Sequence, residues 1–367
     1  MSSNPLVAPA AVRSRRKWLR SVLSVAVSLA IVVGVFWYFL PQFTSMSKVA
    51  DQISAMTSGE VAILALAAIW NLATYVFVMV AVAPGLTHRQ AFVATESSTS
   101  VANTLPGGGA IGIALTYSMF STWGFSRSRT SVALVVAGLW NNFVKLGMPV
   151  LALSLLALQG TPTFGRVFAA SIGFGALLVA LLCLTALLRS EESARRLGLT
   201  AAAVANRLLR ILKRPPVHGW ELATMKFRSR TQLLVHARWL RITVTTLVSH
   251  LSLFLVLLLC LRFVGVTSSQ VTWIEALAVF SFARLITAIP ITPGGLGVVE
   301  VALITGLAAA GGARADVAAA VLLFRGLTYV VPIPLGLATY LFYKRNRSWR
   351  RPPNGAPRTA LVPETTR

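Results

Sequence analysis

Arg284, Glu300 and Arg325 lie inside long apolar runs of a 367-residue chain. An ionisable group in hydrocarbon costs at least a few kcal/mol, so it normally has a partner or faces a wet cavity. A guanidinium in such a place can take a phosphate through two parallel hydrogen bonds. It can equally close an internal Arg325–Glu300 ion pair that fixes one helix against another. Glu300 has a third reading, because it falls in the first turns of a helix that restarts after Gly295. A carboxylate there complements the helix dipole, and it can also take a proton or meet a cationic headgroup.

Between Arg284 and Glu300 the apolar run is broken by Pro290, Pro293, Gly294, Gly295 and Gly297. Glycine leaves the backbone free and proline removes a donor, so a helix should stop near Pro290 and resume after Gly295. Backbone groups freed at membrane depth persist only where protein or a wet cavity satisfies them. Such a break is the usual pointer to a transporter's binding site, and the alternative is a tight turn that serves packing. A second break, Pro106-Gly107-Gly108-Gly109, follows a stretch that holds Glu96, several Ser and Thr residues and Asn103. The amides after Gly109 and Gly295 open two half-helices, whose N-termini can cradle an anion. The bland reading is a glycine-rich turn with no ligand.

Lys145 shares an apolar segment with Asn141 and Asn142 on overlapping helical faces. These can serve a substrate or simply join helices. Glu96 carries the same two readings, since its Ser and Thr neighbours can satisfy it. His250, alone in its segment, reads as an interhelical hydrogen bond. No catalytic residue is assigned, because beyond Glu96, Glu275 and Glu300 there is no carboxylate constellation. The four histidines have no metal-ligand spacing, and Cys183 and Cys260 sit in apolar runs. Neither a metal nor another cofactor is expected.

The elements that position these residues are membrane helices. Hydrophobic residues make up 56% of the chain and charged ones 12%, with mean hydropathy +0.72. That composition belongs to a polytopic membrane protein. The expected fold is all-α, with about six full transmembrane helices plus two re-entrant Pro-Gly-Gly hairpins. Residues 1–18 form a basic N-terminus. A first repeat, 19–157, holds two helices (19–40 and 61–83), a hairpin at 90–125 and a helix from 130. The apolar run at 19–40 is too long for a secretory signal core, so it reads as an uncleaved span.

The second repeat, 166–343, holds helices at 167–188 and 242–261, a basic insert at 189–241, a hairpin at 273–310 and a helix at 317–343. The tail, 344–367, is basic, then Pro-rich, and reads as disordered. Each hairpin arm of the first repeat has about 16 residues, or about 24 Å, short of a ~30 Å hydrocarbon core. With both termini cytoplasmic, 27 of the 34 Lys and Arg residues fall on the cytoplasmic side, as the positive-inside rule requires. Leu199–Arg214 reads as an amphipathic basic helix lying on the anionic inner leaflet. Nucleic acid is excluded as a partner because the charge borders membrane spans and no recognition fold is present.

The two halves repeat. Pro106-Gly-Gly matches Pro293-Gly-Gly, and from Gly112 and Gly297 a constant offset of 185 pairs Arg129 with Arg314, Val136 with Val321 and Pro149 with Pro334. The halves enter the membrane with opposite polarity, which makes them an inverted repeat of the kind found in secondary transporters.

Pro290-Ile-Thr-Pro-Gly-Gly-Leu-Gly-Val-Val-Glu300, followed by Arg325-Gly-Leu-Thr-Tyr329-Val-Val-Pro332, resembles the lysylphosphatidylglycerol synthase transmembrane family of flippase-like proteins. The resemblance spans about 19–343 and is sharpest in the last seventy or so of those residues. It implies movement of a phospholipid or glycolipid headgroup between leaflets of the cytoplasmic membrane, and it adds Tyr329 to the site. Members often carry Gly-Glu and then Arg after the first break. Here the stretch is Gly112-Ile-Ala-Leu-Thr116, and Lys145 and Glu96 supply charge instead. No aminoacyl-transferase domain follows the last helix, so lipid modification is not expected. The expected partners are membrane lipids with anionic headgroups. The alternatives are a small-solute transporter and a membrane subunit of a lipid-modifying or glycosyl-transfer enzyme.

Overall fold

The computed structural model describes residues 51–52, 54–105, 107–159, 220–287 and 293–351, with scattered positions between 171 and 207. The expected helix at 19–40, and most of those at 167–188 and 199–214, lie outside the described residues. Ordered structure among the described residues is helical, with no strand.

Helix α1 (Ser58–Val82) starts at a capping box, in which the Thr57 side chain accepts from the Glu60 amide and Glu60 accepts from the Thr57 amide. It ends before Pro84-Gly85. A second Thr box, Thr87 with Gln90, starts α2 (His88–Thr104). After Gly107, in the left-handed region at φ 66°, the chain re-enters helix as α3 (Gly108–Thr122). Ser126 caps α4 (Arg127–Leu158). A 45-residue helix, α5 (Trp220–Val264), follows.

Thr272 and Glu275 box the start of α6 (Trp273–Ile286). A 3-10 turn at Pro293–Gly295 leads into α7 (Val298–Ala309). Then come α8 (Arg314–Arg325), a π-helical turn (Gly326–Val330) and α9 (Pro332–Arg345). Among the described residues four stretches are long and apolar enough to cross a bilayer: Ser58–Val82, Arg127–Leu158, Phe227–Val264 and Arg314–Arg345. The chain is a multi-pass integral membrane protein.

The helices pack in a reciprocal pattern. α1 lies along α5, α2 along α3 and α9, and α6 along α4 and α7, while α8 packs on α5 and α7. One apolar core, with Leu257, Leu261, Phe280 and Leu303, joins α5, α6 and α7. A second, with Phe120, Val136 and Ile242, joins α3, α4 and α5. The α1–α5 seam carries a buried polar bond from Asn71 Nδ2 to Ser252 Oγ, 2.7 Å. Close backbone approach sets the hairpin geometry: a Cβ on Gly336 of α9 would overlap the Glu96 carbonyl oxygen of α2, and one on Gly112 would sit 2.8 Å from Ser98 O.

Three expectations need correction. α5 begins at Trp220, not at 242, so the part of the basic insert from 220 onward is helix. Charge lowers hydropathy there, but Ala, Leu, Gln and Arg remain good helix formers. The tail is ordered through Arg351. Its Arg351 amide donates to Thr122 O at 2.9 Å, and Trp349 stands edge-on to Trp123, ring centroids 6.0 Å apart. The last helix is also interrupted by its π turn rather than regular.

Candidate functional site

The two glycine-rich breaks meet. The turn at Pro293–Gly295 packs against α2 and α3, and Gly107, Gly108, Gly109, Gly294 and Gly295 line one cavity of about 610 Å³. That volume suits a small-molecule-sized ligand. Gly294 must be glycine on two grounds: its φ is 56°, and a Cβ would overlap the Tyr329 ring and sit 2.9 Å from Asn103 Oδ1.

Tyr329 and Asn103 hold the tips together. Tyr329 Oη donates to Asn103 O at 2.5 Å, and Asn103 Nδ2 donates back to Tyr329 O at 3.1 Å. The π turn brings the Tyr329 ring under Arg325, whose guanidinium carbon lies 4.4 Å from the ring centroid. π turns of this kind recur at functional sites. Arg325 Nε donates to Glu300 Oε1 at 2.6 Å, and Nη2 donates to Gly294 O at 3.3 Å. One side chain thereby ties the end of α8 to α7 and to the turn, so the internal ion pair is formed. Two donors are used, and the remaining guanidinium N–H groups are left for a ligand. Glu300 Oε2 is buried with no hydrogen-bond partner.

Arg284 from α6 and Lys145 from α4 line the same cavity, and among the described residues neither is in an ion pair. Arg284 lies close enough to both Lys145 and Arg325 to feel their repulsion, and Arg284 Nε has no hydrogen-bond partner. Tyr75 from α1 stands beside Arg284 in the wall. Arg325 and Glu300 cancel. What remains is two cations and the Glu96 carboxyl of α2, itself 1% exposed.

Glu96 is not satisfied by its neighbours, against that expectation. Ser97 bonds Thr339, Ser100 donates to Ile333 O, and Glu96 Oε2 is without a partner. The half-helix N-termini at α3 and α7 have no side-chain cap, unlike α1, α2, α4 and α6. At α3 the Gly108 and Ala110 amides already donate to Leu105 O and Gly107 O, so Gly109 supplies the open amide there. With the first amides of α7 and the cations it makes an arrangement that can hold an anion.

The other expected residues divide. Asn141 lines the cavity, whereas Asn142 is exposed on the outer face of α4. Gly297 starts α7 at φ 84° without lining the cavity, and Pro293 belongs to the turn. Pro106 lies outside the described residues. His250 makes no interhelical bond: Nδ1 pairs with Thr246 O of its own helix at 3.0 Å, and Nε2 has no partner. Among the described residues no group of His, Cys, Asp and Glu is placed to hold a metal ion. Asn103 and Tyr75 were missed as site residues. Asn103 had a signal, a polar side chain three residues before the Pro106 break. Tyr75 had none, since its helix is apolar all round.

The chain matches, over residues 25–336, the family described as the lysylphosphatidylglycerol synthase TM region. A search of the curated proteins found no match.

Proposed function

Given that the chain belongs to the lysylphosphatidylglycerol synthase TM family, we propose that it translocates a lipid between leaflets, passing an anionic headgroup through the cavity where the two breaks meet. The observation that carries this reading is the pair of cations, Lys145 and Arg284, lining that cavity without a carboxylate partner among the described residues. Two cations held close together are costly unless an anion joins them. The headgroup's phosphate is taken by Arg284, Lys145 and the free N–H groups of Arg325, against the Gly109 amide and those that open α7. Glu300 and Tyr329 hold Arg325 in place, and Asn103 holds Tyr329.

The architecture belonging to this function is an inverted repeat of six spans and two re-entrant hairpins. The arms α2, α3, α6 and α7 have 17, 15, 14 and 12 residues. They reach about 18 to 26 Å, less than a ~30 Å hydrocarbon core. The packing pattern maps onto itself when the halves are exchanged. α1 pairs with α5, the arm α2 packs on the last helix of the other half, and the arm α6 packs on α4. We place the protein in the cytoplasmic membrane with both termini inside, on the distribution of Lys and Arg.

The test is leaflet exchange in proteoliposomes that carry fluorescent phosphatidylglycerol, with phosphatidylcholine as control. The parent should exchange phosphatidylglycerol faster than protein-free vesicles, and Arg284→Gln and Lys145→Gln should slow it at least tenfold while remaining folded. Equal rates in parent and variants would overturn the site. No exchange of any lipid by the parent would favour a small solute as cargo.

A further inference from the structure

Glu96 is the charged side chain of the cavity for which the anion reading has no use. Its side chain is on α2, its residue is 1% exposed, Oε2 has no hydrogen-bond partner, and among the described residues it has no ion pair. An ionised carboxylate in such a place is unstable unless something neutralises it. Facing the same cavity are Tyr75 from α1, Lys145 from α4, Arg284 from α6, Tyr329 from the π turn and Arg325 from α8. α3 and α9 contribute Gly108, Gly109 and Pro332, which do not titrate. A metal cation would want several oxygen ligands and would meet the repulsion of Lys145 and Arg284 in the same cavity. The neutralising species that fits one carboxyl without further ligands is a proton.

We propose that Glu96 binds the proton that drives lipid passage, so that one proton accompanies each anionic headgroup through the cavity. The proposal rests on the reading of the cavity as an anion site. With Glu96 ionised, it offsets part of the charge that Lys145 and Arg284 present to a phosphate. With Glu96 protonated, both cations act on the anion unopposed. Proton and anion therefore favour each other's binding, and the effect is reciprocal. The proton is bound at the carboxylate on one side of the membrane and released from it on the other, with no bond otherwise made or broken. The backbone of α2 at Glu96 is held against Gly336 of α9, so this carboxyl sits on a packed element rather than on a mobile loop.

Two measurements decide it. Infrared difference spectra of the purified protein across a pH titration should show a protonated carboxyl band that is lost in Glu96→Gln and strengthened by a short-chain phosphatidylglycerol. In proteoliposomes, phosphatidylglycerol exchange by the parent should run roughly tenfold faster with an imposed pH gradient than without it. In Glu96→Gln that ratio should fall to one, and in Glu96→Asp it should be partly restored. A parent ratio of one, or an undiminished ratio in Glu96→Gln, would overturn the proposal even with exchange intact. If the parent exchanges no lipid, the anion reading fails instead, and a carboxyl band indifferent to Glu96→Gln would then dispose of the proton site as well.

Discussion

Replacing Arg325 by Met tests whether the pair with Glu300 builds the site or merely decorates it. The Arg325 and Glu300 side chains are 11% and 5% exposed, and the bond between them is 2.6 Å. Removing one partner of a buried pair leaves the other charge uncompensated, at a cost of about 3–5 kcal/mol. Glu300 Oε2 already lacks a partner, so nothing nearby takes over, and Arg325→Met should fall in the upper part of that range. It also removes the bond from Nη2 to Gly294 O and the stacking on Tyr329. Glu300→Gln should cost less, about 1.5–3 kcal/mol, because an amide oxygen can still accept from Nε. Combining Arg325→Met with Glu300→Gln should cost no more than Arg325→Met alone, since the amide leaves no buried charge unpaired.

The assay is reversible unfolding of the purified protein in mixed micelles, run as a double-mutant cycle. Two residues in direct contact should show coupling of about 2–3 kcal/mol, well above the error of additivity. Arg325→Met within about 1 kcal/mol of the parent would refute the reasoning. The frame that holds the hairpin tip would then have to be something other than this ion pair.

Other contacts make similarly sharp expectations. Gly336→Val should destabilise by about 1–3 kcal/mol in the same unfolding assay, because a side chain there drives α9 off the Glu96 backbone. Tyr329→Phe should cost about 0.5–1.5 kcal/mol, the worth of its hydrogen bond to Asn103 O, and should loosen the hairpin tips toward proteolysis. In a cysteine-free background, Asn141→Cys should react with a hydrophilic thiol reagent and be protected by phosphatidylglycerol. Asn142→Cys, on the exposed face of α4, should show no such protection. Removing the chain after Arg345 should lower the unfolding midpoint, because Trp349 and the Arg351 amide brace the end of α3.

The breaks at Pro106–Gly109 and Pro293–Gly297 were legible because proline and glycine act locally: a missing donor and a left-handed φ interrupt a helix whatever surrounds it. The arginines were legible for the opposite reason, since charge in an apolar run is anomalous before any fold is known. What sequence could not supply was direction around the helix axis. A helix apolar on all faces has no periodic stripe to mark its inner side, so Tyr75 was invisible and Asn141 could not be told from Asn142. Nor could it say which readings of Glu300 and Glu96 apply. Both are carboxylates in apolar segments, yet one accepts from a guanidinium brought 25 residues along the chain, and the other is left alone because Ser97 and Ser100 turn to α9. For Glu96 that outcome depends on which helix of the other half lies against α2, whereas Glu300 meets its partner on the next helix of its own half. Packing in the fold, rather than any local pattern, therefore separates the carboxylate that closes an ion pair from the one left without a partner.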